Sequence, residues 1–533
     1  MSRPEGMSWW GWGTPDERPD LPASARRWLS DATGWRARAT PRVRTITPPP
    51  PGFPDAVLRA LTDGFGADRI ALDDDARLRH AGGKSYLDLI RRRSGTARFP
   101  DAVLCPGAPD EVQRMLRFCA EEGIAVVPFG GGTSVVGGVE PEYGGFPLLV
   151  SLDLARLDRL VDLDVESQTA TLQAGLRTPA AEKLLATEGF TLGHAPQSAE
   201  FATIGGYAAT RSAGQASTGF GRFDDLVVGL RVETPGGTLD LGRAPRSAAG
   251  PDLRQLMLGS EGAFGVITEA TLRIRKIPEV QRYEAYSFPS FADGLAAIRT
   301  LVQDRVAPDV VRLSDVDETR ANLALAGTGL PARTYLRARG HSAGCIAIFG
   351  WEGRQGVTEI RRQLAMQAIR PQHGIRLGTG PGEAWRRDRF AAPYLRDLLL
   401  DVGLLVETVE TATSWSRLPA LHEAVRGALA DSLHRPLIMS HISHAYPAGA
   451  SLYVTVLADR DDADPIGQWE RAKAAASKAI VAAGGTITHH HGVGRDHREF
   501  MTDEVGELGV AALRAVKQAL DPAGILNPGK LLP

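Results

Sequence analysis

The chain has 533 residues, of which 43% are hydrophobic and 23% are charged, and its 61 basic and 63 acidic residues give a net charge of −2. This length exceeds what one hydrophobic core sustains, so we expect two domains with accessory segments. The balanced charge gives no reason to expect nucleic acid as a partner, and the lack of a run of about 18 apolar residues excludes a membrane-spanning helix.

The three cysteines are odd in number and have no C-x-x-C spacing. We therefore expect no disulfide framework and a reducing, cytoplasmic setting. Trp9, Trp10 and Trp12 near the start have two interpretations, a peripheral contact with a membrane or packing onto the body of the protein, and packing is favoured.

The first part of the chain is predicted to be an arm followed by short elements. Residues 1–54 are rich in Trp, Arg and Pro and are expected to form an extended arm, and residues 1–97 together are expected to form this arm and a helical segment. Apolar spacing over 111–122 predicts a helix with Asp110 as its N-cap and Gly123 as its end. The apolar run Ile124–Phe129 predicts a buried strand that leads into a glycine-rich loop.

Two further strands are predicted in the part of the chain before Pro278. Alternating residues over 169–174 predict one strand, and the alternation that begins at Phe264 predicts a long strand that Pro278 ends. Residues 98–278 are therefore expected to form one domain.

The remainder of the chain is expected to cover that domain. Residues 279–465 form a mixed α/β segment that we interpret as a cap or substrate domain. Residues 466–533 are expected to close over the site, starting with a helix whose face includes Trp469 and which Gly484 ends. The tail over 521–530 is predicted to be a compact turn segment.

Three glycine-rich loops in the 98–278 region point to a ligand. Gly130–Gly138 follows a strand, and the segments over 203–214 and 259–265 again combine glycines with hydroxyls. Such loops let backbone N–H groups converge on an anion, although a glycine-rich hairpin would explain the first loop equally well. None has the Walker pattern or opens a helix with G-x-G-x-x-G, so together they suggest one extended dinucleotide.

The loops resemble those of a known superfamily. Pro128-Phe-Gly-Gly-Gly-Thr-Ser134, the 203–214 segment and Gly259-Ser-Glu-Gly-x-x-Gly-Val-Ile-Thr-Glu-Ala270 are similar to the FAD-binding loops of the vanillyl-alcohol-oxidase superfamily. The resemblance implies an α+β fold, in which a PCMH-type FAD-binding domain of two α+β subdomains carries an α/β cap over the flavin. The residues that it assigns to FAD are Pro128, Phe129, Gly130, Gly131, Gly132, Thr133, Ser134, Gln197, Ser198, Thr203, Gly205, Gly206, Thr210, Arg211, Ser212, Ala213, Glu261, Gly262, Gly265, Val266 and Ile267.

The FAD is expected to be non-covalent. Many members of the superfamily link the flavin to a histidine near the first loop, whereas Val135 and Val136 follow Ser134 here.

A narrower resemblance extends over nearly the whole chain. Trp10-Gly-Trp-Gly13, Leu226-Val-Val228, Ser260-Glu-Gly262 and His489-His-His-Gly-Val-Gly494 are similar to segments of the alkyldihydroxyacetonephosphate synthases. This implies exchange of the acyl chain of acyl-dihydroxyacetone phosphate for a fatty alcohol in ether-lipid synthesis. In that family FAD acts without net oxidation, through a bond between flavin N5 and the substrate carbon.

The family also implies roles for residues in the second half of the chain. Tyr453 matches the catalytic acid/base, although a half-buried strand tyrosine is the plainer interpretation of the residue by itself. Arg396 and Arg312 match substrate-binding arginines, for which a solvated charge is the alternative. Thr408 matches a strand position near the flavin.

The three histidines, His489, His490 and His491, are expected to assist the flavin chemistry or the departing carboxylate. If they lie on a strand, His489 and His491 share one face and His490 takes the other. A metal held by that H-x-H pair is the competing interpretation, and no metal is expected because no third Cys, Asp or Glu ligand is evident beside them.

Departures from the family leave other functions open. Gln197 stands where the family has an acidic residue, and no peroxisomal signal is recognised. A 2-hydroxy-acid oxidoreductase of the D-lactate or glycolate type is the alternative, yet Tyr453 and His490 replace a histidine and a glutamate of its metal motifs. A flavin-binding module without catalysis is a third class. The expected partners are the lipid substrates, a peripheral membrane contact and a second copy in a homodimer.

Overall fold

A computed structural model of the protein describes residues 7–14, 21, 23–40, 45–325 and 330–533. The β-strands are β1 Ile70–Ala71, β2 Ala102–Leu104, β3 Ile124–Phe129, β4 Leu148–Asp153, β5 Leu160–Asp164, β6 Thr169–Gln173, β7 Phe190–Thr191, β8 Val227–Thr234, β9 Gly237–Leu241, β10 Val266–Arg273, β11 Arg275–Lys276, β12 Val280–Phe288, β13 Val310–Ser314, β14 Cys345–Gly353, β15 Ile375–Gly378, β16 Leu404–Ser414, β17 Leu437–Ile442 and β18 Gly449–Asp459.

The α-helices are α1 Ala23–Thr33, α2 Asp55–Phe65, α3 Asp74–Arg79, α4 Tyr86–Ser94, α5 Pro109–Glu122, α6 Thr178–Ala186, α7 Ile204–Thr210, α8 Ser217–Phe220, α9 Phe223–Leu226, α10 Arg254–Met257, α11 Phe291–Gln303, α12 Val316–Leu325, α13 Leu330–Ala338, α14 Gln355–Ile369, α15 Gly380–Asp388, α16 Ala392–Asp401, α17 Leu418–Ser432, α18 Pro465–Ala482 and α19 Met501–Leu520. None of the helices in these residues is long and apolar enough to cross a membrane.

The first subdomain is built on a sheet of order β1-β2-β4-β3, in which β2, β4 and β3 run parallel. The predicted strand Ile124–Phe129 is confirmed as β3, and helix α5 ends at Gly123, which has φ 65°. The prediction that Asp110 caps this helix is wrong. Pro109 occupies the first helical turn, so the N-cap moves to Ala108, and the Asp110 carboxylate pairs with Arg231 at 2.6 Å.

The second subdomain is an antiparallel sheet of order β5-β6-β10-β8-β9. The predicted strand over 169–174 is confirmed as β6, and the long strand is confirmed as β10, beginning two residues later than expected, at Val266. Register shifts after Ile267 and after Thr271 interrupt its pairing with β8. The glycine-rich loop that precedes β10 lies beside the end of β3, where a Cβ on Gly262 would press on Pro128.

The third unit is a seven-stranded antiparallel sheet of order β15-β12-β14-β13-β17-β18-β16, built from residues within the expected cap. Helices α17 and α18 cover one face, and α18 buries Trp469, Lys473 and Ala476 as predicted. The other face of β16, β17 and β18 is turned toward the two subdomains. The architecture is therefore α+β with a cap, as the resemblance implied, while the domain limits stay predictions.

The N-terminal segment lies along this inner face. Trp12 is buried and packs edge-on against Phe201, with ring centroids 5.4 Å apart. Helix α1 contributes Leu29 to a cluster with Leu399 and Val406 of the cap. Trp12 therefore packs onto the body of the protein, whereas Trp9 and Trp10 are half-buried.

Candidate active site

A cavity of about 510 Å³ lies between the two subdomains and the inner face of the cap sheet. The glycine-rich loops form one side of it, and strands β16, β17 and β18 form the other. Every residue that the superfamily resemblance assigned to FAD lines this cavity, with the exception of Arg211. Arg211 instead ends helix α7 with φ 51° and binds Asp224 at 3.0 Å.

The first loop has the free donors that a pyrophosphate requires. The N–H groups of residues 131–134 donate to no acceptor within the described part of the chain. A Cβ on Gly130 would collide with the Thr203 hydroxyl, and one on Gly131 would collide with the Phe201 carbonyl. The loop is therefore pressed against the second glycine-rich segment with its donors exposed to the cavity, and these residues fit the diphosphate of FAD.

The opposite wall of the cavity carries Tyr453, on strand β18. Its ring is stacked on His441 with centroids 4.8 Å apart, and the rings of His490 and His491 lie within 6.1 and 5.6 Å. Burial raises the pKa of the Tyr453 phenol to about 12, against a hydrogen bond with Thr408 that lowers it. The phenol is therefore protonated at neutral pH, next to three imidazoles.

The two predicted arginines both line this cavity but differ in their hydrogen bonds. The Arg312 guanidinium donates to Glu318, and its Nη1 lies 3.1 Å from Nε2 of His441. Burial would raise the pKa of Glu318, but Arg312 and His441 outweigh it and lower the pKa to about 2. The negative charge of Glu318 is thus balanced within the site.

Arg396 keeps donors that the described protein does not use. Its Nη1 donates to the Lys84 carbonyl at 2.6 Å, whereas Nε and Nη2 are buried without a hydrogen-bond partner in the described residues. The Asp397 carboxylate lies 3.8 Å from Nη2. A buried guanidinium edge with two unused donors is suited to a phosphate or carboxylate of a ligand.

The three histidines do not lie on a strand, so the arrangement of faces considered for a strand does not apply. Residues 488–494 form an irregular loop whose backbone N–H groups donate to two acidic side chains and not to a neighbouring strand. The buried carboxylate of Glu410 accepts from the N–H groups of His489, His490 and His491 at 2.8, 3.2 and 3.0 Å. His490 and His491 line the cavity, whereas His489 stands behind them and contacts the Tyr446 hydroxyl at 2.7 Å.

A different trio of histidines has the spacing of a metal site. Ring nitrogens of His444, His489 and His490 lie within 4.8 Å of one another. Burial lowers the pKa of His444 and of His489 well below the usual range, which leaves both rings neutral. The H-x-H pair of the metal interpretation is therefore not what the fold brings together, because His491 lies outside this trio.

The far end of the cavity is apolar. Alternate residues of the three cap strands point into it, so that Val406, Leu437, Met439 and Leu457 form one wall. The facing wall comes from the N-terminal segment and α16, through Leu21, Trp28, Leu29, Leu395 and Leu399.

Several lining residues were not predicted from the sequence. His441, Ser443, His444 and Glu407 reach the cavity from the cap, and Trp12, Trp28 and Leu29 reach it from the N-terminal segment. One signal was available, since Glu407 and Glu410 are acidic residues in an apolar run with strand character, where charges are rarely buried without a partner. The N-terminal residues carried no comparable signal.

Two family models match the chain, one in each half. Residues 100–241 match the family model described as "FAD binding domain". Residues 277–531 match the model described as "FAD linked oxidases, C-terminal domain".

Relatives and a solved structure cover nearly the whole chain. An alkyldihydroxyacetonephosphate synthase of Dictyostelium discoideum is 33% identical over 91% of this chain and 82% of its own length. One of Trypanosoma brucei brucei is 34% identical with the same coverage. A solved alkyldihydroxyacetonephosphate synthase structure superimposes with a TM-score of 0.84 at 28% identity, covering 98% of this chain and 99% of the other.

Proposed function

This chain belongs to the alkyldihydroxyacetonephosphate synthase family, and we propose that it carries out the reaction of that family with FAD in the cavity described above. The acyl chain of acyl-dihydroxyacetone phosphate leaves as a carboxylate, and a fatty alcohol takes its place. A proton leaves the alcohol as the ether forms, so no electrons are gained or lost overall.

The observation that carries this proposal is that one cavity combines three kinds of surface. The FAD-binding loops form one side of it, Tyr453 and Arg396 also line it, and apolar side chains from α1 and from β16 to β18 form its far end. A fatty alcohol needs dry walls, and a small hydroxy acid does not. The apolar end therefore favours the synthase over the 2-hydroxy-acid oxidoreductase.

The side chains in the middle of the cavity have complementary tasks in this proposal. Tyr453 transfers the proton at the carbon beside the substrate ketone, and the unused donors of Arg396 bind the substrate phosphate. His490 and His491 donate hydrogen bonds to the departing carboxylate, and Arg312 keeps Glu318 from repelling it. When bound, FAD supplies the electron-poor ring that makes the substrate carbon reactive.

The decisive experiment follows ether formation under anaerobic conditions without an electron acceptor. The purified holoenzyme, given acyl-dihydroxyacetone phosphate and hexadecanol, is expected to form the ether at the rate seen in air and to consume no oxygen. D-lactate and glycolate serve as controls and are expected to leave the flavin absorbance unchanged. Flavin bleaching by a 2-hydroxy acid, with no ether formed, would contradict the synthase reaction and support the 2-hydroxy-acid oxidoreductase.

The cellular setting and assembly belong to the same proposal. Ether-lipid synthesis in the cytoplasm, with a peripheral membrane contact, would bring the cavity near its lipid substrates, and Leu325, which lines the cavity, is 40% exposed. Co-sedimentation with lipid vesicles tests the contact, and sedimentation velocity tests the expected homodimer. A protein that stays in the supernatant as a monomer would contradict both.

A further inference from the structure

The loop that carries the histidines, residues 488–494, has no strand or helix to satisfy its backbone. Buried N–H groups need partners, and in this loop two acidic side chains provide them. Glu410 binds the first half of the loop and Glu261 binds the second half, where the N–H groups of Val493 and Gly494 donate to its carboxylate at 2.6 and 2.8 Å.

Glu410 makes the larger set of contacts. Besides the three histidine N–H groups, its carboxylate accepts from the Thr488 hydroxyl at 2.6 Å, and it lies 3.4 Å from Nδ1 of His490. The side chain is 1% exposed, and an arginine or lysine is not among its bonded partners in the described residues. A buried carboxylate bonded almost wholly by one short loop fixes the course of that loop.

Glu410 is also a neighbour of Tyr453 in the cap sheet. Strands β16 and β18 pair in register so that Glu410 lies directly opposite Tyr453. Opposite residues of an antiparallel pair project from the same face of the sheet, so the carboxylate and the phenol are neighbours. Glu410 does not line the cavity itself, and it therefore acts through the residues that do.

We propose that Glu410 is a positioning residue that fixes His490 and His491 relative to Tyr453. The inference rests on the proposed function, because it concerns the histidines that face the departing carboxylate. Glu261, in the glycine-rich loop 259–265, binds the other end of the histidine loop. The histidine loop is therefore held between the cap and the FAD-binding domain. A shift of about 1 Å in such groups is enough to lower a rate by about 100-fold.

The test compares Glu410→Gln with Glu284→Gln in the holoenzyme. Glu284 is an equally buried carboxylate on β12 of the same sheet, bound by Arg362 and Arg376 away from the cavity. We expect Glu410→Gln to lower kcat by about 100-fold with KM for the acyl substrate nearly unchanged, because Arg396, which binds the substrate phosphate in this proposal, keeps its position. Glu284→Gln is expected to lose stability and to keep its kcat.

Hydrogen exchange followed by mass spectrometry gives a second measurement that needs no turnover. Peptides covering 488–494 are expected to exchange faster in Glu410→Gln and at the wild-type rate in Glu284→Gln. Unchanged exchange, a wild-type kcat in Glu410→Gln, or an equal loss of kcat in Glu284→Gln would overturn the inference. A wild-type enzyme that forms no ether would instead contradict the proposed function, and the exchange data would still test the role of Glu410.

If Glu410→Gln does not yield folded holoenzyme, Thr488→Val removes one hydrogen bond to the same carboxylate. We then expect kcat to fall about tenfold with faster exchange at 489–491. A variant with unchanged kcat and unchanged exchange would contradict the proposal.

Discussion

Replacing Tyr453 by Phe removes one hydroxyl from the cavity and keeps the ring that stacks on His441. The variant is therefore expected to retain its fold and its flavin. If the hydroxyl carries the proton at the substrate carbon, kcat should fall by about 100- to 10,000-fold, the usual contribution of a general acid–base group.

The structure also gives the pH dependence of this step. Because the Tyr453 pKa lies at about 12, the reactive phenolate makes up about one part in 10,000 of the enzyme at pH 8. Deprotonating the phenol at this pH therefore costs roughly 5 kcal/mol. The phenolate fraction rises tenfold for each pH unit below that pKa. We therefore expect kcat/KM for the acyl substrate to rise about tenfold per unit between about pH 6 and pH 9.

The assay measures ether formation by wild type, Tyr453→Phe and a control over this pH range. Tyr286→Phe is a matched control, since this buried tyrosine of the cap sheet bonds Glu284 and lies outside the cavity. The control should follow the wild-type profile. A near-wild-type rate for Tyr453→Phe, or a wild-type profile that is flat from pH 6 to pH 9, would refute the assignment.

Three further results are expected. Acid precipitation should release FAD into the supernatant, because Val135 lines the cavity where a linking histidine would stand; flavin in the pellet would contradict this. His490→Ala should lower kcat with flavin retained, and elemental analysis should find no stoichiometric zinc or manganese; a metal at one per chain would assign His490 to coordination. Trp28→Ala should raise kcat/KM about tenfold for an alcohol two carbons longer than the best wild-type substrate, at about 0.8 kcal/mol per buried methylene, and unchanged preference would show that Trp28 does not limit the chain.

The elements that depend on near neighbours were predictable from the sequence. Apolar spacing predicted helix α5 and strand β3, and glycines with hydroxyls predicted the loops that line the FAD side of the cavity. The physical reason is that helix periodicity and close backbone approach are properties of a few consecutive residues. The N-cap of α5 was missed for the same kind of local reason, since Pro109 shifted the start of the helix.

The resemblance to a family predicted that Tyr453, Arg396 and the histidines belong to the site. Only the tertiary structure decided what each of them contacts. The histidine loop took an irregular course because Glu410, 79 residues earlier than His489, supplies its hydrogen-bond acceptors. His441 beneath Tyr453 and Trp28 at the apolar end come from segments far apart in the chain. Such contacts depend on how the sheets and the N-terminal segment pack, and no local pattern in the sequence encodes that packing.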